Sequence, residues 1–156
     1  MARKRRGGKR PPFPDPKHHS VLVTQFVNCL FKKGKKSTGE RIIYDAFDII
    51  KERSGSEGLE VFEKAVDSVK PMIHVRSRRV GGQTYQIPVE VRQDERLALS
   101  IRWLILFARQ RGEKTMAQKL AGELMDASNG QGRSIQRKEE THRMAEANRA
   151  FAHYRW

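Results

Sequence analysis

Apolar residues recur with helical spacing in several separate stretches of this chain. Leu22, Val23, Phe26, Val27 and Leu30 fall on one face of a segment that opens after Ser20, a good N-cap residue, and stops at Gly34. Ser37-Thr38-Gly39-Glu40 then has the spacing of a capping box. It leads into Ile42, Ile43, Ala46, Phe47, Ile49 and Ile50, the clearest amphipathic stripe in the chain, which Ser54-Gly55 closes. Leu59, Phe62, Val66 and Val69 make a third stripe, terminated by Pro71. The period then changes. Residues 72–80 and 83–91 flank Gly81-Gly82, the signature of a two-residue hairpin turn. From about Asp94 the helical period returns through Leu97, Ile101, Leu104, Ile105 and Ala108 and ends near Gly112. Thr115 with Gln118 opens a fifth helix through Leu120, Leu124 and Ala127, closed by Asn129-Gly130. A sixth runs from Ser134 to about Ala152, with Met144, Ala147 and Phe151 as its narrow apolar stripe.

The pattern predicts a mainly α fold: about six helices, one protruding β-hairpin arm and a flexible basic N-terminal tail. Residues 1–19 carry six basic residues in their first ten and prolines at 11, 12, 14 and 16, with no periodicity, and are expected to form a disordered or extended arm. Residues 20–156 are expected to form a single helical domain, with the hairpin at 72–91.

With Gly81-Gly82 as the turn, Val80 faces Gln83, Arg79 faces Thr84, Arg78 faces Tyr85 and Arg76 faces Ile87. Arg76 and Arg78 then lie on one side of the ribbon and Arg79 on the other. Met72, Ile73, Val89 and Val91 are expected to pack at its base, and the arms to reach ~25 Å from the core at about 3.3 Å per residue. Arginines on both faces suit an anionic partner, and Tyr85 offers a stacking face beside Arg78. A solvated hairpin whose charges only block edge pairing is the plainer reading.

Charge sharpens the picture. The chain of 156 residues holds 32 Lys+Arg against 18 Asp+Glu, a net charge of +14. Residues 1–39 hold eleven bases and one acid, whereas residues 40–70 hold five bases and eight acids. An acidic middle between basic regions argues that one face or several arms meet a polyanion. The basic candidates form three groups: Arg3, Lys4, Arg5, Arg6, Lys9 and Arg10 in the arm; Lys32, Lys33, Lys35 and Lys36 at a helix–helix turn; and Arg76, Arg78 and Arg79 in the hairpin. Arg109, Arg111, Lys114 and Lys119 near a helix junction form a second tier.

Other chemistries find little support. Gly34-Lys35-Lys36-Ser37 is not a Walker loop, because Cys29 stands where the first glycine belongs and Lys36 where Ser or Thr belongs. The five histidines have no metal spacing, and one cysteine precludes an internal disulfide or a multi-cysteine metal site. No nucleophile elbow, carboxylate pair or dinucleotide turn appears, so neither an enzyme nor a cofactor is expected. The longest apolar stretch, residues 97–108, is too short to span a bilayer, and no apolar segment follows the basic start as a signal peptide requires. A soluble intracellular protein without a membrane partner is expected.

Four stretches carry a resemblance that covers nearly the whole chain: Gly34-Lys35-Lys36 with Ile42-Ile43 and Ala46; residues 75–82, Val-Arg-Ser-Arg-Arg-Val-Gly-Gly; residues 123–127, Glu-Leu-Met-Asp-Ala; and residues 144–150 through 152–156. In them the chain resembles the small-subunit ribosomal protein seven family in its bacterial form, an organellar copy being the neighbouring reading. The resemblance implies a primary binder of 16S-type rRNA, in its 3′ major domain, that nucleates assembly of the subunit head. It implies a place in the cytoplasmic ribosome near the decoding region, messenger RNA and exit-site tRNA, beside ribosomal proteins nine and eleven of the same subunit. It marks Arg78, Arg79, Gly81, Gly82, Tyr85, Arg149 and Tyr154 as candidates for the tRNA-facing side. His74, Asp94-Glu95 and residues 7–19 depart from the family pattern. The arm and hairpin tip are expected to order only on RNA. A basic architectural DNA-binding protein with wedge-bearing arms is the alternative, although Gly81-Gly82 supplies no wedge.

Overall fold

The structure is a computed structural model and describes residues 12–154. Six α-helices and one antiparallel hairpin follow in the order α1 (Val21–Leu30), α2 (Lys36–Ser54), α3 (Gly58–Val69), β1 (Ile73–Val80), β2 (Gln83–Glu90), α4 (Gln93–Gln110), α5 (Met116–Ser128) and α6 (Arg133–Ala147). A 3-10 helix, Arg149–Tyr154, ends the described chain. The mainly helical reading with one hairpin holds.

The core draws on every α-helix, because each stripe faces α5 or a helix packed on it. Leu120, Ala121, Leu124 and Ala127 of α5 are buried among α2, α3 and α4. Phe26, Phe47 and Phe62 bring α1, α2 and α3 together, with ring centroids 5.2 Å apart for Phe26–Phe62 and 5.6 Å for Phe47–Phe62. Trp103 is partly buried against this core. Gly58 lets α3 begin directly on α2: a Cβ there would lie 2.6 Å from Phe47 Cβ and 2.9 Å from its carbonyl oxygen.

Several local expectations give way. The first helix ends at Leu30 rather than Gly34, because Lys33 and Gly34 adopt positive φ (54° and 77°) and turn the chain. The Lys36 N–H then donates to the Gly34 carbonyl, so α2 starts at Lys36. Ser37 therefore lies inside the helix and no capping box forms; Glu40 pairs with Lys36 instead, 3.4 Å away. The Thr115–Gln118 box, in contrast, is complete, with both bonds at 3.2 Å. The last helix stops at Ala147, where the Asn148 side chain donates to the Met144 carbonyl and the chain tightens into the 3-10 helix. Its buried positions are Ser134, Ile135, Thr141 and Ala145, while Met144 and Ala147 are exposed. The inner face of α6 is small and partly polar because Ser134 is drawn onto the buried carboxylate of Glu123.

The segment before α1 is not free from residue 15 onward. Asp15, 2% exposed, accepts from the backbone N–H groups of Lys17 and His18 and from the Tyr44 hydroxyl at 2.7 Å. The His18 ring sits against Tyr44 and Phe47. One acid in the basic arm thus pins its last residues to α2.

Candidate nucleic-acid interface

The hairpin forms in the register that its sequence implies: Val80 pairs with Gln83, Arg79 with Thr84, Arg78 with Tyr85 and Arg76 with Ile87. Gly81 and Gly82 both take positive φ (57° and 88°), which two consecutive L side chains would resist. The root packs as expected at Val91 but not at Met72 and Ile73. Ile87 and Val91 are buried, whereas Met72 and Ile73 are exposed, since Ile73 points to the outer face of the ribbon. The face carrying Arg76, Arg78, Tyr85 and Ile87 is the one turned toward the body.

That side holds a set of contacts that the sequence did not announce. Arg76 donates to His74 Nε2 at 3.0 Å and pairs with Glu95 at 3.3 Å; Glu95 also binds Arg92 at 2.9 Å. The bond from Arg92, with the charge of Arg76 adding to it, holds the Glu95 carboxyl below its ordinary range. Burial, then the nearby Arg76, pushes the His74 imidazole down, which favours the neutral ring that accepts from Arg76. At the root, the Met72 N–H donates to Nε2 of His142, whose pKa is also lowered, by burial and by Lys138. Near the tip, Tyr85 lies 5.5 Å from Tyr154 in a stacked arrangement and 5.2 Å from Phe151. The stacking face expected for a base is therefore occupied by the protein's own C-terminal rings. Arg78, Arg79, Gly81 and Gly82 remain exposed.

At the α1–α2 turn, Lys32, Lys33, Lys35 and Lys36 are all exposed. Lys32 and Lys35 share a cleft with Arg109 from the end of α4 and Met116 from the start of α5; Leu30, Phe31 and Ile42 also line it. Arg109 also donates to the Leu30 carbonyl at 3.0 Å, so it closes the end of α1 while standing beside the lysines. Thus the fold brings one second-tier residue to the turn.

Arg111 is engaged elsewhere. Its guanidinium binds Glu113 at 2.8 Å, Asp126 at 2.6 Å and Glu123 at 3.1 Å. Burial opposes its charge, but the bonds to Asp126, Glu113 and Glu123 outweigh it and push its pKa up. Lys114 is exposed and Lys119 half-buried. Arg149 is exposed and pairs with Glu146 at 3.3 Å. Arg3, Lys4, Arg5, Arg6, Lys9 and Arg10 lie outside the described residues, as does Trp156. Among the described residues, no group of His, Cys, Asp and Glu is placed to hold a metal ion, and no helix is long and apolar enough to cross a membrane.

The sequence reading missed Asp15, Glu95, His142 and Phe151. Phe151 falls on the apolar stripe of a helix expected to reach Ala152, and only its spacing of three from Tyr154 hints at a shared aromatic face.

The family model described as ribosomal protein S7p/S5e matches residues 2–149. The chain belongs to that family. It is 60% identical over 156 residues to small ribosomal subunit protein uS7 of Syntrophotalea carbinolica, covering all of both chains. The same identity and coverage relate it to that protein of Anaeromyxobacter sp. strain K, and 58% identity over 156 residues to that of Myxococcus xanthus. It is a ribosomal protein of the bacterial type, a structural component rather than an enzyme.

Proposed function

We propose that this chain is a structural constituent of the small ribosomal subunit in the bacterial cytoplasm, a primary binder of 16S-type rRNA whose docking on the 3′ major domain nucleates the subunit head. The observation that carries this reading is that one helical body presents two separate exposed basic elements. One is the Lys32/Lys35/Arg109 cleft; the other is the hairpin that displays Arg78 and Arg79. Full-length identity to relatives named as small-subunit proteins supports the same place of action. Lysines at a tight turn and arginines on a two-stranded ribbon read phosphates and RNA shape rather than a sequence in a duplex groove. Arg3 to Arg10 add counterion-releasing contacts. The tip, with Arg78, Arg79, Gly81 and Gly82, and the C-terminal Arg149 and Tyr154 face the path of exit-site tRNA and messenger, with ribosomal proteins nine and eleven as neighbours.

The test is binding to a transcript of the 3′ major domain across a salt series, with duplex DNA and an unrelated structured RNA as competitors. Binding that survives both competitors is the expected result. Equal erasure by any polyanion would overturn it in favour of a generic architectural binder.

A further inference from the structure

The 3-10 helix after α6 contributes no buried residue. Its side chains instead meet the hairpin: Phe151 and Tyr154 pack on Tyr85, and His153 lies against Tyr154 with ring centroids 4.0 Å apart. The backbone sets this up, because Asn148 ends α6 and its carbonyl accepts from the Phe151 N–H at 3.0 Å. Tyr85 is the cross-strand partner of Arg78, three residues from the turn. An isolated two-stranded ribbon is marginal in water and swings about its root. Here the root is tied to α6 through His142 and the middle to α4 through Glu95, so the rings supply a third support, toward the tip.

We propose that the C-terminal 3-10 helix is a positioning element for the hairpin: the Phe151 and Tyr154 rings, packed on Tyr85, hold Arg78 and Arg79 where RNA meets them. This rests on the rRNA-binding reading above and says how its affinity is set. An arm already held in place loses less conformational freedom on binding, so the rings raise affinity without touching RNA. Phe151 and Tyr154 are positioning residues in this sense.

The experiment uses the full chain. The double variant Phe151→Ala, Tyr154→Ala should bind the 3′ major domain transcript about tenfold more weakly, the scale of lost aromatic pairs. Its thermal midpoint should stay unchanged, because the rings lie outside the core. Phe151→Tyr with Tyr154→Phe should restore binding, since the stack needs rings and not a particular hydroxyl. In an Arg78→Ala, Arg79→Ala background the alanine substitutions should cost nothing further. A loss of the same size in that background would overturn the proposal, because the rings would then touch RNA themselves. Unchanged affinity, or a lowered thermal midpoint, would overturn it as well. Amide exchange of residues 74–89 without RNA separates this from the functional reading. Faster exchange in the alanine variant is expected, and unchanged exchange would overturn the positioning role. A wild-type chain without rRNA preference would instead overturn the functional reading.

Discussion

The guanidinium of Arg111 lies among three carboxylates, and one of them, Glu123, is wholly buried and also accepts from the Ser134 hydroxyl and backbone N–H. Its neighbours along the chain, Arg109 and Lys114, are exposed, so sequence proximity groups cations that the fold separates. Removing one partner of a buried pair leaves the other charge uncompensated. Arg111→Ala should therefore destabilise the protein by about 3 kcal/mol in chemical denaturation, while rRNA affinity measured well below the transition stays near wild type. The same cluster sets an acid dependence. The bond from Arg111, opposed by some burial, holds the Glu113 carboxyl below its ordinary range. A folded-state pKa below the unfolded one means that the stabilisation is present above the unfolded value, about 4.3. It is lost as pH falls through the lower, folded value. Glu113→Gln should thus lower stability at neutral pH and flatten the fall in stability below about pH 4.3; parallel wild-type and variant curves in denaturant titrations would count against it.

Element boundaries respond to a few backbone positions. At Gly58 the first turn of α3 touches the backbone of α2, with a virtual Cβ 2.7 Å from Phe47 Cα. Backbone cannot give way as a flexible side chain can, so Gly58→Ala should part the two helices. A loss of about 3 kcal/mol is expected, the upper end of ordinary overpacking, seen as a lower thermal midpoint. Gly39→Ala, whose Cβ would meet Phe31 Cβ at 3.2 Å, should cost clearly less. Equal midpoints for the two variants would refute the distinction. Helix caps show a similar division: Thr115 caps α5 through its own side chain, whereas Ser20 makes no capping bond and α1 relies on its buried stripe.

At the scale of the whole molecule, two exposed basic clusters stand out. Asp45, Asp48, Glu60 and Glu63 face solvent on α2 and α3 beside exposed Arg41, Lys51, Arg53 and Lys64, while Lys32, Lys33, Lys35 and Lys36 gather at the α1–α2 turn and Arg76, Arg78 and Arg79 stand on the ribbon. Each phosphate contact releases counterions, so Lys32→Ala with Lys35→Ala should weaken rRNA binding and flatten its salt dependence by about one unit of slope per lysine. Arg78→Ala or Arg79→Ala should cost about 1–3 kcal/mol of binding without lowering the thermal midpoint. A drop in midpoint would make these arginines structural.

Helices, core stripes and hairpin register were legible in the chain because each depends on neighbours a few residues apart. The period of apolar positions names the buried face, and Gly81-Gly82 permits the turn that sets every cross-strand pair. The shortfalls have a common cause. Whether a basic residue is free, as Arg78 is exposed, or bound, as Arg111 is to Asp126, depends on which carboxylates the packed helices bring within 3 Å or so. Asp15 meets Tyr44 from 29 residues away, and Met72 meets His142 from 70. Such contacts have no period and leave no local trace, because they form only when helices already packed on a shared core bring distant side chains together. Composition and periodicity therefore established a basic helical protein with an arginine ribbon. Which cations stay exposed, which are bound by carboxylates, and what holds the ribbon came from packing.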